Sequence, residues 1–412
     1  MDNIAKSNSE VSQSAIQNFK QEAEQELFSI LDYWMQYSVD EVNGGFFGRI
    51  DNSNNVDSSA PKGAVLNTRI LYAFAAAYNQ YENENYLRIA TRAYEYIEKH
   101  FFDKEYGGVF WTVDAKGNIV DSRKQIYAQA FCIYGLSEYY AATQNKNALN
   151  TALQLYESIE EYSYDALMKG YLEAFTREWG EPDDFRLSEK DANEKKTMNT
   201  HLHIVEAYAN LYKVHPSLPL KEKIIELLEL FDRYFIDKQT FHLKLFFDEV
   251  WREKSNIISF GHDIEATWLL QTCAEIISDE KLIEIFKHHA IKITDATLEA
   301  LDNDGGIWYE YDALNKRLTE EKHWWAQAEA MVGFFNAYQI TNDKKYLALA
   351  FNNWQFIKEN IIDRKNGEWF WGVKKDHSVI QNEDKVGLWK GPYHNSRACM
   401  QIVQRINKLQ EG

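Results

Sequence analysis

The chain has 412 residues, with 63 acidic against 45 basic side chains and a formal charge of −18; that balance disfavours nucleic acid and anionic membranes, which are bound chiefly through Lys and Arg. Only five prolines occur and no Pro/Gly/Ser-rich linker interrupts the chain, so one mainly helical domain is expected over 15–412, behind a poorly ordered tail over 1–14. No apolar stretch approaches the roughly 18–20 residues of a membrane span, and Met1-Asp2-Asn3-Ile4-Ala5-Lys6 lacks the basic start and apolar run of a secretory leader, so a cytoplasmic protein is expected.

In chain order, an amphipathic helical stretch over 15–38 leads to the turn segment Gly44-Gly45-Phe46-Phe47-Gly48, then to a more apolar helix over 65–80 that carries Asn67-Thr68-Arg69. The same three parts return over 83–101, Gly107-Gly108-Val109-Phe110-Trp111 and 125–142, the last opening Gln125-Ile126-Tyr127. A third copy runs through 146–162, Gly170-Tyr171-Leu172-Glu173 and 197–215, with Asn199-Thr200-His201-Leu202-His203 at the helix start. The fourth has 219–237, a degenerate Leu245-Phe246-Phe247 and 262–277, opened by Phe260-Gly261-His262-Asp263-Ile264-Glu265. The fifth has 279–301, Gly305-Gly306-Ile307-Trp308-Tyr309 and 323–341, with His323-Trp324-Trp325-Ala326-Gln327-Ala328-Glu329. The sixth has 343–361, Gly367-Glu368-Trp369-Phe370-Trp371 and 392–408, with Pro392-Tyr393-His394-Asn395-Ser396-Arg397.

A period of about sixty residues, with first glycines at 44, 107, 170, 305 and 367, is the mark of a repeat architecture. The first helix of each copy is charged on one face, which suits an outer layer; the second is apolar over more of its circumference, which suits an inner ring. Six such pairs close into an (α/α)6 barrel, all-α apart from short β-hairpins in the loops at one end. An open solenoid would need polar capping repeats, and none is evident. The pocket is expected where the Gly-aromatic loops meet the starts of the inner helices. There Trp324, Trp325 and Trp389 crowd beside His323, Lys390 and His394, and flat amphipathic rings suit stacking on the C–H faces of a sugar.

His203, His262 and His394 stand at corresponding places on three inner helices, a pattern that favours convergence on one site over three separate structural roles. His262 and Glu265 are three apart, Asn199 and His203 four apart, and Trp325 and Glu329 four apart, so each pair shares a helix face. A carboxylate beside His262 is expected to fix its tautomer and raise its basicity for proton transfer. His201 and His203, two apart, diverge on a helix and cannot chelate one ion; no zinc-type spacing occurs, and no metal is expected. His288 and His289 read as solvated. Cys132, Cys273 and Cys399 read as buried free thiols. Arg69 is read as facing a ligand hydroxyl, Arg397 as paired or structural.

The motifs around Asn199–His203, Ser259–Ala266, Trp324–Glu329 and Trp389–Arg397 closely resemble those of the cellobiose 2-epimerases, a group within the N-acylglucosamine 2-epimerase superfamily, and the resemblance runs in matching order from about 20 to 408. It implies a cofactor-independent 2-epimerase that opens the reducing-end sugar of a free saccharide, removes the C2 proton to give an enediolate, and returns a proton to the other face. By the same resemblance, His262 and His394 are the acid/base pair and His203 assists ring opening. Arg69, Tyr127, Asn199 and Glu265 bind hydroxyls or orient the histidines, Glu329 supports them, and Trp325 and Trp389 stack on the sugar. The substrate is expected to be cellobiose or a related β-1,4-disaccharide, or free mannose or glucose, and the protein a monomer or weak homodimer. An aldose–ketose isomerase shares the enediolate. A glycoside hydrolase would need Glu265 and Glu329 to flank a glycosidic bond. A non-catalytic sugar-binding protein would leave the histidines unexplained. The polar insertion from Glu181 to Lys196 is expected to fold over the mouth or to be a solvated loop.

Overall fold

The computed structural model of the chain describes residues 2–411, with side chains described from 13 to 410. The tail expected over 1–14 falls almost wholly outside the described side chains. Twelve α-helices follow in order: α1 (Asp2–Tyr37), α2 (Ala64–Tyr81), α3 (Glu84–Tyr96), α4 (Ile126–Thr143), α5 (Lys146–Ser158), α6 (Met198–Val214), α7 (Leu218–Leu230), α8 (Phe260–Ile276), α9 (Glu280–Thr297), α10 (Trp324–Thr341), α11 (Lys344–Phe356) and α12 (Tyr393–Glu411). The even-numbered helices pack each on the next, α12 returns to α2, and the ring is closed. The odd-numbered helices lie outside it. Each of α3 to α11 backs the inner helix before it in the chain, and α1 backs α12, so the first helix seals the last repeat.

The turns between inner and outer helices are short because both ends are capped. Glu82, Gln144 and Asn342 take a left-handed conformation and donate their N–H groups back to the carbonyls of Tyr78, Tyr140 and Tyr338, which satisfies orphan groups of the ending helix. The very next residue, Asn83, Asn145 or Asp343, accepts from the first turn of the following helix, a stabilisation of about 1 kcal/mol each. Four outer helices instead end in a single wide turn, closed by Phe102, Tyr164, Ile236 and Ile362 donating to carbonyls five residues back at 3.0–3.1 Å.

The Gly-aromatic segments make hairpins that the sequence pattern anticipates. Val39 bridges Phe46, Phe102 bridges Val109, Tyr164 bridges Tyr171, Ile236 bridges Leu243, Leu301 bridges Ile307, and Ile362 bridges Trp369. The strand before each inner helix then pairs with the loop of the next repeat: Lys62–Gly63 with Thr112–Val113, Lys124–Gln125 with Ala174–Phe175, Lys196–Thr197 with Phe246–Phe247. Ile257–Ser259 pairs with Glu310–Asp312, Glu321–His323 with Gly372–Lys374, and an Ile50–Val386 bridge closes the circle.

A buried lysine repeats under these loops, each paired with an aspartate that is buried in three copies and half-buried at Asp165 and Asp302. Lys62 meets Asp40 at 2.9 Å, Lys124 meets Asp103 at 3.0 Å, Lys196 meets Asp165 at 2.8 Å, and Lys322 and Lys385 meet Asp302 and Asp363 at 2.6 Å. Removing one partner of such a pair strands a buried charge, at a cost of about 3–5 kcal/mol. The fourth repeat lacks the pair. There Asp263 of α8 accepts from the Leu243 N–H at 2.8 Å and meets His242 Nδ1 at 2.7 Å. His201 does a related task in the third repeat, accepting the Tyr171 N–H at 2.9 Å. His289, expected to be solvated, is instead buried against Asp232 at 2.6 Å. The three cysteines are free and buried.

Candidate active site

The inner helices present their residues to the barrel axis in layers. Five residues beyond Ala64, Ile126, Met198, Phe260, Trp324 and Pro392 stand Arg69, Phe131, His203, Glu265, Glu329 and Arg397, one from each helix. The Arg69 guanidinium lies 4.7 Å from the Phe131 ring centre, and Phe131 lies 4.7 Å from His203. Across the barrel, Arg397 donates to Glu265 at 2.6 Å, to Glu329 at 2.7 Å, and to Glu206 and Tyr393 at short range. One turn nearer the mouth stand Tyr127, Asn199, His262, Trp325 and His394. Above them is a cavity of about 440 Å³.

Nine of the ten residues singled out from the sequence line that cavity: Arg69, Tyr127, Asn199, His203, His262, Glu265, Trp325, Trp389 and His394. Glu329 does not reach the wall and stands behind His394. His323 is also held away, stacked on Tyr309 at 3.8 Å and hydrogen-bonded to Glu321 at 2.9 Å. Lys390 is buried against Glu368 at 3.0 Å. The insertion does fold over the mouth: Phe185, Leu187, Ser188, Lys190 and Asp191 line the cavity, and Gln125 Nε2 ties Arg186 O to the barrel at 3.0 Å.

Each of the three imidazoles has a different partner at Nδ1. His203 meets Glu206 Oε2 at 2.9 Å, His394 meets Glu329 Oε1 at 2.7 Å, and His262 meets Ser259 Oγ at 2.8 Å. The expected pairing of His262 with Glu265 is therefore not formed, because the nearby guanidinium of Arg397 draws the Glu265 carboxylate to itself. Ionised carboxylates only accept, so Glu206 and Glu329 place the proton of His203 and His394 on Nδ1 and leave Nε2 free to accept. Ser259 Oγ has His262 Nδ1 as its partner among the described residues; donating to it leaves the His262 proton on Nε2.

Burial and the like charge of His203 hold His262 down, to about 3, rather than raising its basicity as expected. Burial, with the charges of Arg69 and Arg397, also holds His394 well below 6.5. Both are neutral bases or donors at ordinary pH. Burial raises Glu265 to about 7, with Glu329 adding to the rise, whereas for Glu206 the opposing effect of burial is outweighed by Arg397, His203 and Tyr393, which bring it to about 2. Glu265, Glu329 and His394 are the three metal-capable groups that cluster within 4.8 Å among the described residues, and the Arg397 guanidinium already supplies positive charge to both carboxylates.

Arg69 donates to Tyr127 Oη at 2.8 Å and to Trp389 O at 2.5 Å, so it organises the cavity wall as well as facing it. Trp389 packs on Trp111 at 5.5 Å and on Tyr127 at 5.9 Å. Asn199 Oδ1, Arg69 Nε and Trp324 Nε1 are buried with no hydrogen-bond partner among the described residues, so the wall carries unspent polar groups beside its aromatic rings, a composition suited to a polyhydroxyl ligand. Glu206, Ser259, Tyr393 and Trp268, which donates to Glu329 at 3.0 Å, were not among the residues chosen from sequence. The three-residue spacings Ser259–His262 and His203–Glu206 were the available signals for two of them.

A sequence model of N-acylglucosamine 2-epimerase (GlcNAc 2-epimerase) matches residues 45–398. A cellobiose 2-epimerase of Bacteroides fragilis is 46% identical over 385 residues, 93% of this chain and 98% of that protein. One of Dictyoglomus turgidum is 40% identical over 92% of this chain and 96% of its own length. The solved cellobiose 2-epimerase of Bacillus thermoamylovorans superposes with a TM-score of 0.88 at 39% identity, covering 95% of this chain and 99% of that one.

Proposed function

Since the chain belongs to the N-acylglucosamine 2-epimerase family and is a carbohydrate epimerase, an isomerase, we propose that it inverts C2 at the reducing end of a β-1,4-disaccharide such as cellobiose. The observation that carries this reading is the pair His262 and His394, ring centres 4.8 and 5.6 Å from Trp325, with Nδ1 of His394 on the Glu329 carboxylate and Nδ1 of His262 on the Ser259 hydroxyl.

His203 Nε2 assists opening of the pyranose, which exposes the C1 aldehyde and acidifies C2–H. His394, proton on Nδ1, takes the C2 proton at Nε2 and becomes an imidazolium; after the enediolate rotates, His262 gives its Nε2 proton to the opposite face of C2 and regains one as the His394 imidazolium releases its own, so that both rings end neutral. The reverse direction retraces these transfers. General acid–base catalysis of this kind contributes typically ~10²–10⁴-fold. Arg69 is the fixed cation on the wall for the negative charge of the enediolate. Trp325 and Trp389 offer flat faces to the sugar, and the wall added by Phe185 to Asp191 gives room for a second ring beyond the reacting one.

Incubating the protein with cellobiose, mannobiose, mannose and glucose in D2O and following the products by NMR tests the reading. A C2 epimer carrying deuterium at C2 is expected. A ketose would make the protein an aldose–ketose isomerase, and released monosaccharide a hydrolase. Both carboxylates that a hydrolase would use, Glu265 and Glu329, are tied to Arg397.

A further inference from the structure

The three imidazoles divide two and one. His262 and His394 flank Trp325, whereas His203 stands against Tyr127 and Phe131, with ring centres 5.0 and 4.7 Å away. Its partner Glu206 meets neither His262 nor His394 among the described residues. That carboxylate accepts from His203, from Tyr393 Oη at 2.7 Å and from Arg397. On its far side it borders a second cavity of about 220 Å³, walled also by Tyr134, Asn210 and Lys213. Glu206 is thus a buried anion with its own opening, joined to the reaction cavity directly through His203 and, by way of Arg397, to Glu265 and Glu329.

We propose that His203 and Glu206 form a self-contained ring-opening dyad, which makes the protein an anomer-interconverting enzyme for its sugar in addition to, and separably from, C2 inversion. The proposal rests on the reading of the cavity as a sugar-epimerase site. Glu206 fixes the His203 proton on Nδ1, so Nε2 is free to take the proton of the anomeric hydroxyl. The C1–O1 double bond forms as the C1–O5 bond breaks with its electron pair on O5, and the imidazolium, stabilised by Glu206, hands the proton to O5. Rotation about C1–C2 and reversal of these steps closes the ring on the other face of C1. No proton, electron or atom is gained or lost, and neither His262 nor His394 is required. Glu206 is a positioning residue here: it acts through His203.

The test follows anomeric protons by NMR after dissolving β-cellobiose in dilute buffer with the full-length protein, in the wild type, in His394→Asn, and in His394→Asn combined with Glu206→Gln or Glu206→Asp. Wild type is expected to exchange anomers at least ~10-fold faster than buffer, and His394→Asn to lose C2 epimer formation by at least ~10²-fold while keeping anomer exchange within about threefold. Adding Glu206→Gln is expected to cut the kcat of exchange at least ~10-fold with KM within about twofold, and Glu206→Asp to restore part of it, a rescue that loss of fold would not give. Exchange that disappears with His394→Asn, in protein that still binds cellobiose by tryptophan fluorescence, overturns the proposal. So does exchange that survives Glu206→Gln. A wild type that exchanges anomers without forming a C2 epimer supports the dyad and sinks the epimerase reading; a wild type that does neither sinks both.

Discussion

His394 Nδ1 lies 2.7 Å from Glu329 Oε1, and Glu329 is wholly buried behind the imidazole, outside the cavity that His394 lines. The carboxylate therefore selects which ring nitrogen faces the sugar. Glu329→Gln can present an N–H to Nδ1, turn the tautomer over and leave Nε2 protonated. We expect kcat to fall ~10²–10⁴-fold, as loss of an imidazole-orienting carboxylate does in other proton-transfer sites, with KM nearly unchanged. Steady-state kinetics on cellobiose read this, and a kcat within threefold of wild type would refute it.

Burial and the neighbouring Glu329 push Glu265 up to about 7 from 4.5. The proton is thus favoured in the folded state, so the stability Glu265 contributes is complete below its unfolded value and is lost as pH rises through about 7. Glu265→Gln, which never ionises, is expected to gain melting temperature relative to wild type between pH 5 and pH 8. A difference in Tm that stays constant over that range would contradict it.

With His262 held down to about 3, its imidazole is expected not to titrate between pH 5 and 8. Carbon-13 or nitrogen-15 histidine NMR of the free protein should show a His262 signal, assigned by its loss in His262→Asn, with a pH-independent shift across that window. A titration near the ordinary histidine value would show that water reaches the ring far better than the packing against Trp325 allows.

Gly261 lies directly under Trp325. A Cβ there would stand 2.4 Å from Trp325 Cη2 and 2.6 Å from Cζ3, so Gly261→Ala must displace the ring that spaces His262 from His394. Misplacement of reacting groups by about 1 Å costs on the order of 10²-fold. We expect kcat/KM to drop ~10–100-fold while the far-ultraviolet circular dichroism stays that of the wild type.

The insertion supplies wall only above the reacting ring. Shortening residues 187–192 is expected to spare activity on mannose within about threefold and to lower kcat/KM on cellobiose at least ~10-fold, the scale of a few lost pocket contacts. Equal effects on both sugars would make the segment a lid or a scaffold.

The sixfold repeat was legible in the sequence because it is local. Apolar spacing, the Gly-aromatic turns and the Asn or Asp caps act within a few residues, and the inner-helix ends fall within three residues of where those signals put them; α1 starts well before its expected residue 15, and α3, α5, α7, α9 and α11 end four to seven residues early because a further turn continues each of them. The same locality brought Arg69, Tyr127, Asn199, His203, His262, Glu265, Trp325, Trp389 and His394 to one mouth, since each sits in the first two turns of an inner helix or, for Trp389, in the loop just before one. Which groups would touch was another matter. His262 and Glu265 share a helix face, yet the Arg397 guanidinium, 132 residues from Glu265 in the chain, takes that carboxylate, because a buried cation satisfies a buried anion better than a neutral ring does. Glu206 acquires its meaning from Arg397 across 191 residues, and Glu329 from His394 across 65. The sequence by itself determined the barrel, its open end and the residue types gathered there. Closing the ring of helices decided that Glu329 orients His394 and that Arg397 takes Glu265, because those bonds join helices brought together only once the barrel has closed, whereas His203–Glu206 and His262–Ser259 lie three residues apart in the chain.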